Sequence, residues 1–353
     1  MKRMSARQLA ISYPGVFLGA GFVSGQELWQ FFGCFGKIGL VGFLCTTAIF
    51  FLVNYSVMRL VQTTGQEEMG RLMTLGDHPR LRAAVNVMQC LLLFGVGVIM
   101  IAGAGSLVHQ MVGLPAWLAG GAFTLIVILV ALMGMQGLVA VFSFVVPATT
   151  VCAVVLGAVT LLRCGFQFGT PAGSASALVP NWVVGFPTYA AYNLFGVISV
   201  LTPMAAMIPE ERTLRRGLTC GTGILIALAG SIIAAMAAVP ASGAAELPMA
   251  VLAGQIHPLL GAGYGILMWL GMFTAALATM TAIINQMALK WPAVASRRKL
   301  GTTLLLTVAF LLSLLGFGSL IGVIYPLFGY LSIPFLCCIV INWQRERKKL
   351  RTA

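Results

Sequence analysis

The chain has 353 residues, of which 59% are hydrophobic and only 8% are charged, and its mean hydropathy is +0.99. A soluble domain of this size needs far more polar surface, so the composition excludes a soluble globular protein and indicates a membrane protein. The net charge of +13 would suggest nucleic-acid binding in a soluble chain, but here the positions of the basic residues predict no nucleic-acid partner.

Ten apolar segments follow one another along the chain, and a membrane-spanning helix takes roughly 20 residues. They cover residues 8–33, 38–60, 84–111, 115–134, 138–162, 183–208, 217–240, 259–289, 302–317 and 319–342. With ten spans and a cytoplasmic N-terminus, every Lys and Arg except Lys37 and Arg163 falls on the cytoplasmic side. Cytoplasmic loops collect basic residues in this way, so the charge and the span count support each other.

The first apolar segment contains the run Gly19-Ala20-Gly21-Phe22-Val23-Ser24-Gly25-Gln26-Glu27. Three glycines and an acid within a membrane helix predict a break, because unpaired backbone in a membrane must be buried in protein or line a cavity. A helix that restarts near Ser24 would direct free amides at an anionic group of a ligand. The predicted substrate site therefore includes Gly19, Ala20, Gly21, Phe22, Ser24 and Gly25.

Glu27 is the only acid within the ten segments, and two interpretations of it stay open. Ser24 and Glu27 have the spacing of a capping box, which would satisfy orphan amides at the restart without any ligand. A charged cap at membrane depth is expensive, which favours a functional carboxyl group instead. In that case Glu27 would pair with a substrate ammonium group or carry a coupling proton.

The sixth segment repeats the pattern of the first. Each has an aromatic-proline entry followed by a helix-weakening cluster, and the clusters lie about half the chain apart. Because five spans precede the second copy, it would enter the membrane from the opposite side, as in inverted-repeat transporters. The predicted second half of the substrate site is a broken sixth helix with Tyr189, Tyr192, Asn193, Phe195 and Gly196. Packing of these aromatic side chains against neighbouring helices is the alternative.

The predicted units are a first five-helix repeat over 1–165, an extracellular linker over 166–182, a second repeat over 183–342 and a basic cytoplasmic tail over 343–353. No cleavable signal peptide is predicted, because the first apolar run is too long and lacks a cleavage site. The eight cysteines and three histidines have no metal-ligand spacing, and no nucleophile–base motif occurs. The sequence thus predicts no enzyme, no metal site and no cofactor.

The run GAGFVSGQELWQFF resembles the signature of the YkvI-like membrane proteins, a bacterial group within the amino acid–polyamine–organocation superfamily. The resemblance implies an all-α, ten-helix fold of the LeuT type, built as a five-plus-five inverted repeat with helices 1 and 6 broken. It also implies location in the bacterial inner (cytoplasmic) membrane, with both termini cytoplasmic. No substrate is settled for this group, so the resemblance does not identify one for this chain.

The resemblance also implies where a sodium ion would bind. In sodium-coupled members of the fold, carbonyls of the first helix meet the eighth helix, and the matching positions here are Gly15, Leu18, Ala275, Ala278 and Thr279. Only Thr279 supplies a hydroxyl group, so the site has fewer side-chain oxygens than a sodium ion requires. A lysine that some proton-coupled relatives have in the fifth helix is absent here. Na⁺, H⁺ through Glu27 and uncoupled exchange all stay open.

The sequence and the resemblance together predict a secondary active transporter that works by alternating access. Its substrate would be a small amino acid or related amine, coupled to Na⁺ or H⁺, and its other partner would be the lipid bilayer. The alternative is a ligand-binding membrane sensor on a transporter scaffold, which would bind without net transport.

Overall fold

A computed structural model describes residues 4–17, 20–76, 78–133, 138–165, 173, 175–208, 210–239, 242–243 and 245–352. All of the regular structure within these residues is helical. An apolar chain in a membrane has no water to satisfy its backbone, and helices satisfy N–H and C=O groups within the segment. The site candidates Leu18 and Gly19 lie outside the described residues, as does part of the predicted linker, at 166–172 and 174.

Fifteen α-helices follow in chain order through the described residues. They are α1 (Ala6–Phe17), α2 (Ala20–Ser24), α3 (Gln26–Phe31), α4 (Lys37–Thr64), α5 (Met69–Leu72), α6 (Pro79–Val112), α7 (Ala116–Met133), α8 (Leu138–Cys164), α9 (Trp182–Ala206), α10 (Glu211–Ala238), α11 (Pro248–Ile256), α12 (Pro258–Lys290), α13 (Pro292–Ser296), α14 (Arg298–Ser313) and α15 (Phe317–Thr352).

Seven of the described helices are long and apolar enough to cross a bilayer: α4, α6, α7, α9, α10, α12 and α15. The chain is therefore an all-helical, multi-pass membrane protein. The other predicted segments also contain helices, but the first is divided into α1, α2 and α3, and α14 has only 16 residues. The ten-span count therefore stays a prediction.

The predicted break in the first segment is confirmed at Gly25. This residue separates α2 from α3 and has a φ of +83°, in the left-handed region that favours glycine. A side chain there would also meet Met236 Sδ at 2.8 Å and Met249 Cγ at 3.1 Å. A glycine is thus required at Gly25 both by the backbone torsion and by the close approach of α10 and α11.

The predicted break in the sixth segment is wrong. Helix α9 runs without interruption from Trp182 to Ala206 and contains Pro187 and Pro203. The Asn193 side chain donates to the carbonyl of Tyr189, four residues earlier, at 3.1 Å. Gly196 is not among the glycines with positive φ. One glycine costs a helix only about 1 kcal/mol, and membrane helices tolerate proline, so the cluster does not unwind α9.

The bundle has two ends, which we call the N-terminal face and the opposite face. On the N-terminal face, Met4 N donates to the carbonyl of Met207 at 2.9 Å, and Asn342 Nδ2 donates to that of Thr74 at 2.9 Å. On the opposite face, Gln30 Nε2 donates to the carbonyl of Gly318 at 2.9 Å. The chain runs from α1 through α2 and α3 toward this opposite face, and residues 21–35 are all buried.

Candidate functional site

The residues on both sides of the break are more helical than the sequence predicts. Residues 20–24 form the short helix α2 instead of an unwound stretch, and the Gly25 amide donates to the carbonyl of Phe22 at 3.1 Å. The prediction of free amides near the restart is therefore wrong for the amide of Gly25. A single left-handed residue is enough to redirect the chain, so residues 20–24 and 26–31 on either side of it stay helical.

The predicted capping box does not form. The Ser24 hydroxyl donates to the carbonyl of Gly21 at 2.8 Å and accepts from the amide of Gln26 at 3.2 Å. The residue at the N-cap of α3 is Gly25, which has no side chain to cap this helix. The carboxyl group of Glu27 is directed elsewhere, so the capping interpretation of Glu27 is wrong.

Glu27 is 5% exposed and makes its hydrogen bonds with other helices. The hydroxyl of Tyr192 on α9 donates to Glu27 Oε2 at 2.6 Å, and Tyr325 on α15, whose ring stacks on that of Tyr192, lies beside this carboxyl group. Glu27 packs against Gly21, where an added Cβ would overlap Glu27 Oε1 and lie 2.8 Å from Glu27 Cδ. The two sides of the break therefore meet through this carboxyl group.

The aromatic side chains of α9 form one wall around Glu27. The rings of Tyr192 and Tyr325 stack with centroids 4.4 Å apart and an interplanar angle of 8°. Tyr189 meets Tyr192 edge to face at 5.4 Å, and Phe31 of α3 meets Tyr189 at 5.0 Å. Tyr189 and Tyr192 thus both line the region of Glu27, and they also pack against neighbouring helices.

Other predicted site residues lie elsewhere. Phe195 packs near Phe335 of α15, with ring centroids 6.3 Å apart. Gly196 faces α6, where an added Cβ would lie 3.7 Å from Leu92 Cδ2. Phe22 is fully buried in the core, and Ala20 is described only as the first residue of α2. Of the predicted substrate residues, the structure thus gathers Gly21, Tyr189 and Tyr192 around Glu27.

Two tyrosines at this site were not predicted. Tyr325 contacts Glu27 as described above, and the hydroxyl of Tyr264 on α12 donates to the carbonyl of Val23 in α2 at 2.7 Å. Tyr325-Pro326 is an aromatic-proline pair within an apolar segment, the same pattern that marks Tyr13-Pro14. A buried tyrosine hydroxyl needs a hydrogen-bond partner. A tyrosine deep in an apolar segment therefore predicts a buried polar group beside it, and this signal could have pointed to both residues.

Glu27 has no ion-pair partner among the described Lys and Arg side chains. The pairs found there lie near the N-terminal face, such as Arg59–Glu211 at 2.8 Å. A buried charge without a counter-ion costs several kcal/mol, so an isolated carboxyl group is stable only when it is neutral or meets a cation. The arrangement is therefore chemically suited to hold a proton or a positively charged group.

The structure describes the surroundings of two residues of the predicted sodium site, Gly15 and Thr279. An added Cβ at Gly15 would meet no atom within 4 Å, and an added Cβ at Gly97 of α6 would lie 3.2 Å from Thr279 Oγ1. The Thr279 hydroxyl donates to the carbonyl of Ala275 at 2.9 Å. Thr279 therefore faces α6. The described residues contain no group of three or more His, Cys, Asp or Glu side chains that could hold a metal.

Solved structures define the class of fold. The chain matches the inward-facing conformation of Mhp1 with a TM-score of 0.67 and 14% identity, over 97% of this chain and 77% of Mhp1. It matches MhsT, solved in complex with L-phenylalanine, with a TM-score of 0.56 and 14% identity, over 97% of this chain and 89% of MhsT. Both are LeuT-fold proteins, so the predicted type of fold is confirmed.

Sequence comparison identifies particular relatives. The chain is a homologue of the uncharacterized membrane protein YkvI of Bacillus subtilis (strain 168), with 28% identity over 98% of each chain. It is also 24% identical to the uncharacterized protein YyaD of the same organism, over 93% of this chain and 94% of the relative. No family model matches the sequence. The resemblance predicted from the GAGFVSGQELWQFF run is confirmed by the YkvI match.

Proposed function

We propose that this protein is a secondary active transporter of a small amino acid or related amine, coupled to Na⁺ or H⁺. The observation that carries the proposal is the buried Glu27 carboxyl group at the break between α2 and α3, which has no cationic partner among the described residues. Such a group suits a substrate ammonium group or a coupling proton. The LeuT-type fold supports the proposal at the level of architecture.

The proposed substrate site lies between the α2–α3 break and α9. Gly21, Tyr189 and Tyr192 surround Glu27 there, and MhsT was solved with an amino acid bound. We retain Gly19, Ala20, Phe22, Ser24 and Gly25 in the proposal as backbone contributors at the break. With α9 continuous, its contribution is side chains rather than free backbone groups.

The proposal includes the arrangement in the membrane. Ten spans as a five-plus-five inverted repeat, with the N-terminal face in the cytoplasm, would place 19 of the 21 Lys and Arg residues on the cytoplasmic side. That distribution is the one expected for a bacterial inner-membrane protein. Alternating access would then require the helices around Glu27 to separate toward one face at a time.

The first experiment is a thermal-unfolding screen of the purified protein against amino acids and amines, each in sodium and in potassium. A ligand at 100 times its dissociation constant stabilises the folded state by about 2.7 kcal/mol, which such a screen detects. Each hit is then tested for uptake into proteoliposomes under a sodium or a proton gradient. Binding without accumulation under any gradient would contradict transport and support the sensor alternative.

Glu27→Gln tests the carboxyl group directly. Glutamine retains an oxygen that accepts the Tyr192 hydrogen bond, but it holds neither a proton nor an ammonium group at this position. We expect coupled uptake to be lost while the protein still folds, as shown by its thermal unfolding. Glu346→Gln, which changes an acid paired with Lys349 near the C-terminus, is the matched control. Uptake by Glu27→Gln at the rate of this control would refute the proposal.

A further inference from the structure

Two buried amide oxygens on α3 have no hydrogen-bond partner within the part of the chain that is described. The side chains of Gln26 and Gln30 belong to residues only 7% and 4% exposed, and the Oε1 atom of each is unpaired. Native proteins pair nearly all their buried polar atoms, so each exception needs an explanation. Two such oxygens one helical turn apart indicate a bound ligand that would serve as their missing partner.

Both glutamines face the first two turns of α15. Gln30 Nε2 donates to the carbonyl of Gly318, which fixes the orientation of that amide. An added Cβ at Gly318 would lie 3.2 Å from Gln26 Nε2, and one at Gly322 would lie 3.2 Å from Gln30 Oε1. Because these two positions are glycines, there is room beside α15 for the amide groups of Gln26 and Gln30.

The carboxyl group of Glu27 belongs to the same contact between helices. At about 100° per residue, Gln26, Glu27 and Gln30 lie within an arc of about 100° on α3. Tyr325, which stacks on the tyrosine that bonds Glu27, lies seven residues after Gly318 and thus on the same side of α15. One carboxyl group and two unpaired amide oxygens therefore lie along a single helix–helix contact.

We propose that this contact is a sodium site, with Gln26 Oε1, Gln30 Oε1 and the Glu27 carboxylate as its side-chain ligands. Carboxylate and carbonyl oxygens are the ligands that hard cations prefer. The carbonyl of Gly322 accepts a bond from Ser176, but residue 326, four positions later in α15, is a proline without an N–H group, so this carbonyl keeps a second lone pair. It supplies a further oxygen for a sodium ion.

The dimensions of the contact favour an ion over a larger group. The amide atoms of Gln26 and Gln30 lie so close to Gly318 and Gly322 that even a methyl group on these glycines would be crowded. A bare monovalent ion is smaller than any substrate molecule, so a contact this close favours an ion. The proposed site is also distinct from the predicted one, which joins α1 to α12.

A bound ion would neutralise Glu27 and join α3 to α15 near the opposite face. Its role as a coupling ion rests on the proposed transport function, but its binding does not. The test therefore measures binding by the purified protein, without substrate and without a gradient. A failure of transport and a failure of this site then give different results.

The experiment follows the unfolding temperature of the protein in detergent as sodium chloride replaces choline chloride at constant ionic strength. Potassium chloride and methylammonium chloride are titrated in parallel. We expect sodium to stabilise the wild type, and Gln26→Leu to raise the half-saturating sodium concentration by about tenfold or more. Gln89→Leu, which changes a glutamine of α6 that is 9% exposed, should leave the sodium response unchanged.

A second variant keeps the test decisive if Gln26→Leu does not fold. Gln26→Glu adds a charged oxygen and is expected to lower the half-saturating sodium concentration. Equal sodium responses in the wild type, Gln26→Leu and Gln26→Glu would overturn the proposal, as would no response in the wild type. Stabilisation by methylammonium in place of sodium would also overturn it and assign these oxygens to the ammonium group of a substrate.

Discussion

At the scale of single residues, the site depends on a close fit between a glycine and an acid. Gly21 lies on one side of the break and Glu27 on the other, and the Glu27 carboxyl group occupies the volume that a Cβ on Gly21 would fill. Tyr192 then fixes the carboxyl group from α9. The sequence indicates that these residues matter, but the contact between them exists only because the chain turns at Gly25.

Gly21→Ala should displace Glu27 from Tyr192. Forcing an extra methyl group into a packed core costs about 1–3 kcal/mol, and here it also breaks a buried hydrogen bond. We expect a lower unfolding temperature and loss of substrate uptake. Gly230→Ala on α10 is the control, because its added Cβ would meet no atom within 4 Å. Equal behaviour of the two variants would show that Gly21 and Glu27 are not in contact.

Tyr192→Phe removes one hydroxyl and keeps the ring that stacks on Tyr325. Leaving a buried acceptor without its donor costs about 1–3 kcal/mol, so uptake should fall while the aromatic packing is retained. Tyr330→Phe is the comparison, since Tyr330 donates to the carbonyl of Leu178 from a more exposed position on the same bundle. If both variants transport alike, the Tyr192–Glu27 hydrogen bond has no role in the function.

At the scale of elements, small residues decide how α1 meets α10. Gly217 and Gly221 lie one turn apart on α10, and α1 packs directly over them. An added Cβ at Gly217 would lie 2.7 Å from Leu9 Cδ2, and one at Gly221 would lie 2.9 Å from Tyr13 Cδ1. Small residues spaced in this way let membrane helices approach closely, and here they position the helix that leads to the break.

Gly221→Ala should therefore push α1 away from α10. We expect a clear fall in the unfolding temperature and weaker substrate binding, because the α1 end of the break would shift. Gly223→Ala on the same helix is the matched control, since an added Cβ there meets no atom within 4 Å. A fall of equal size in both variants would attribute the effect to the helix itself and not to its contact with α1.

At the scale of the whole molecule, polar networks tie distant segments together on the N-terminal face. Arg59 of α4 pairs with Glu211 of α10 at 2.8 Å, and its guanidinium carbon lies 5.5 Å from the ring centroid of Trp343 on α15. The Tyr55 hydroxyl donates to the same Glu211 carboxylate. Both halves of the chain thus meet at this face.

The proposed orientation predicts which face is accessible from outside the cell. In a variant without native cysteines, Lys37→Cys should react with a membrane-impermeant thiol reagent in intact cells, since Lys37 begins α4 at the opposite face. Arg347→Cys, near the C-terminal end of α15, should react only after permeabilisation. The reverse labelling pattern would contradict the cytoplasmic assignment of the N-terminal face.

The sequence by itself determined that the chain is a helical membrane protein, that its first span is interrupted and that Glu27 is the acid to study. These conclusions follow from local properties: the length of apolar runs, the freedom of glycine and the cost of a charge in lipid. The sequence was wrong about the sixth span, because Asn193 and Gly196 weaken a helix without opening it when tertiary packing supports it.

Only the tertiary structure decided what Glu27 contacts. Ser24 and Glu27 have the spacing of a capping box, yet the carboxyl group accepts a hydrogen bond from Tyr192 and lies beside Tyr325, which are 165 and 298 residues away in the chain. Sequence spacing describes neighbours within one helix, whereas partners on α9 and α15 depend on how helices pack across the bundle. The same reason explains why the contact of Gln26 and Gln30 with α15 was visible only in the fold.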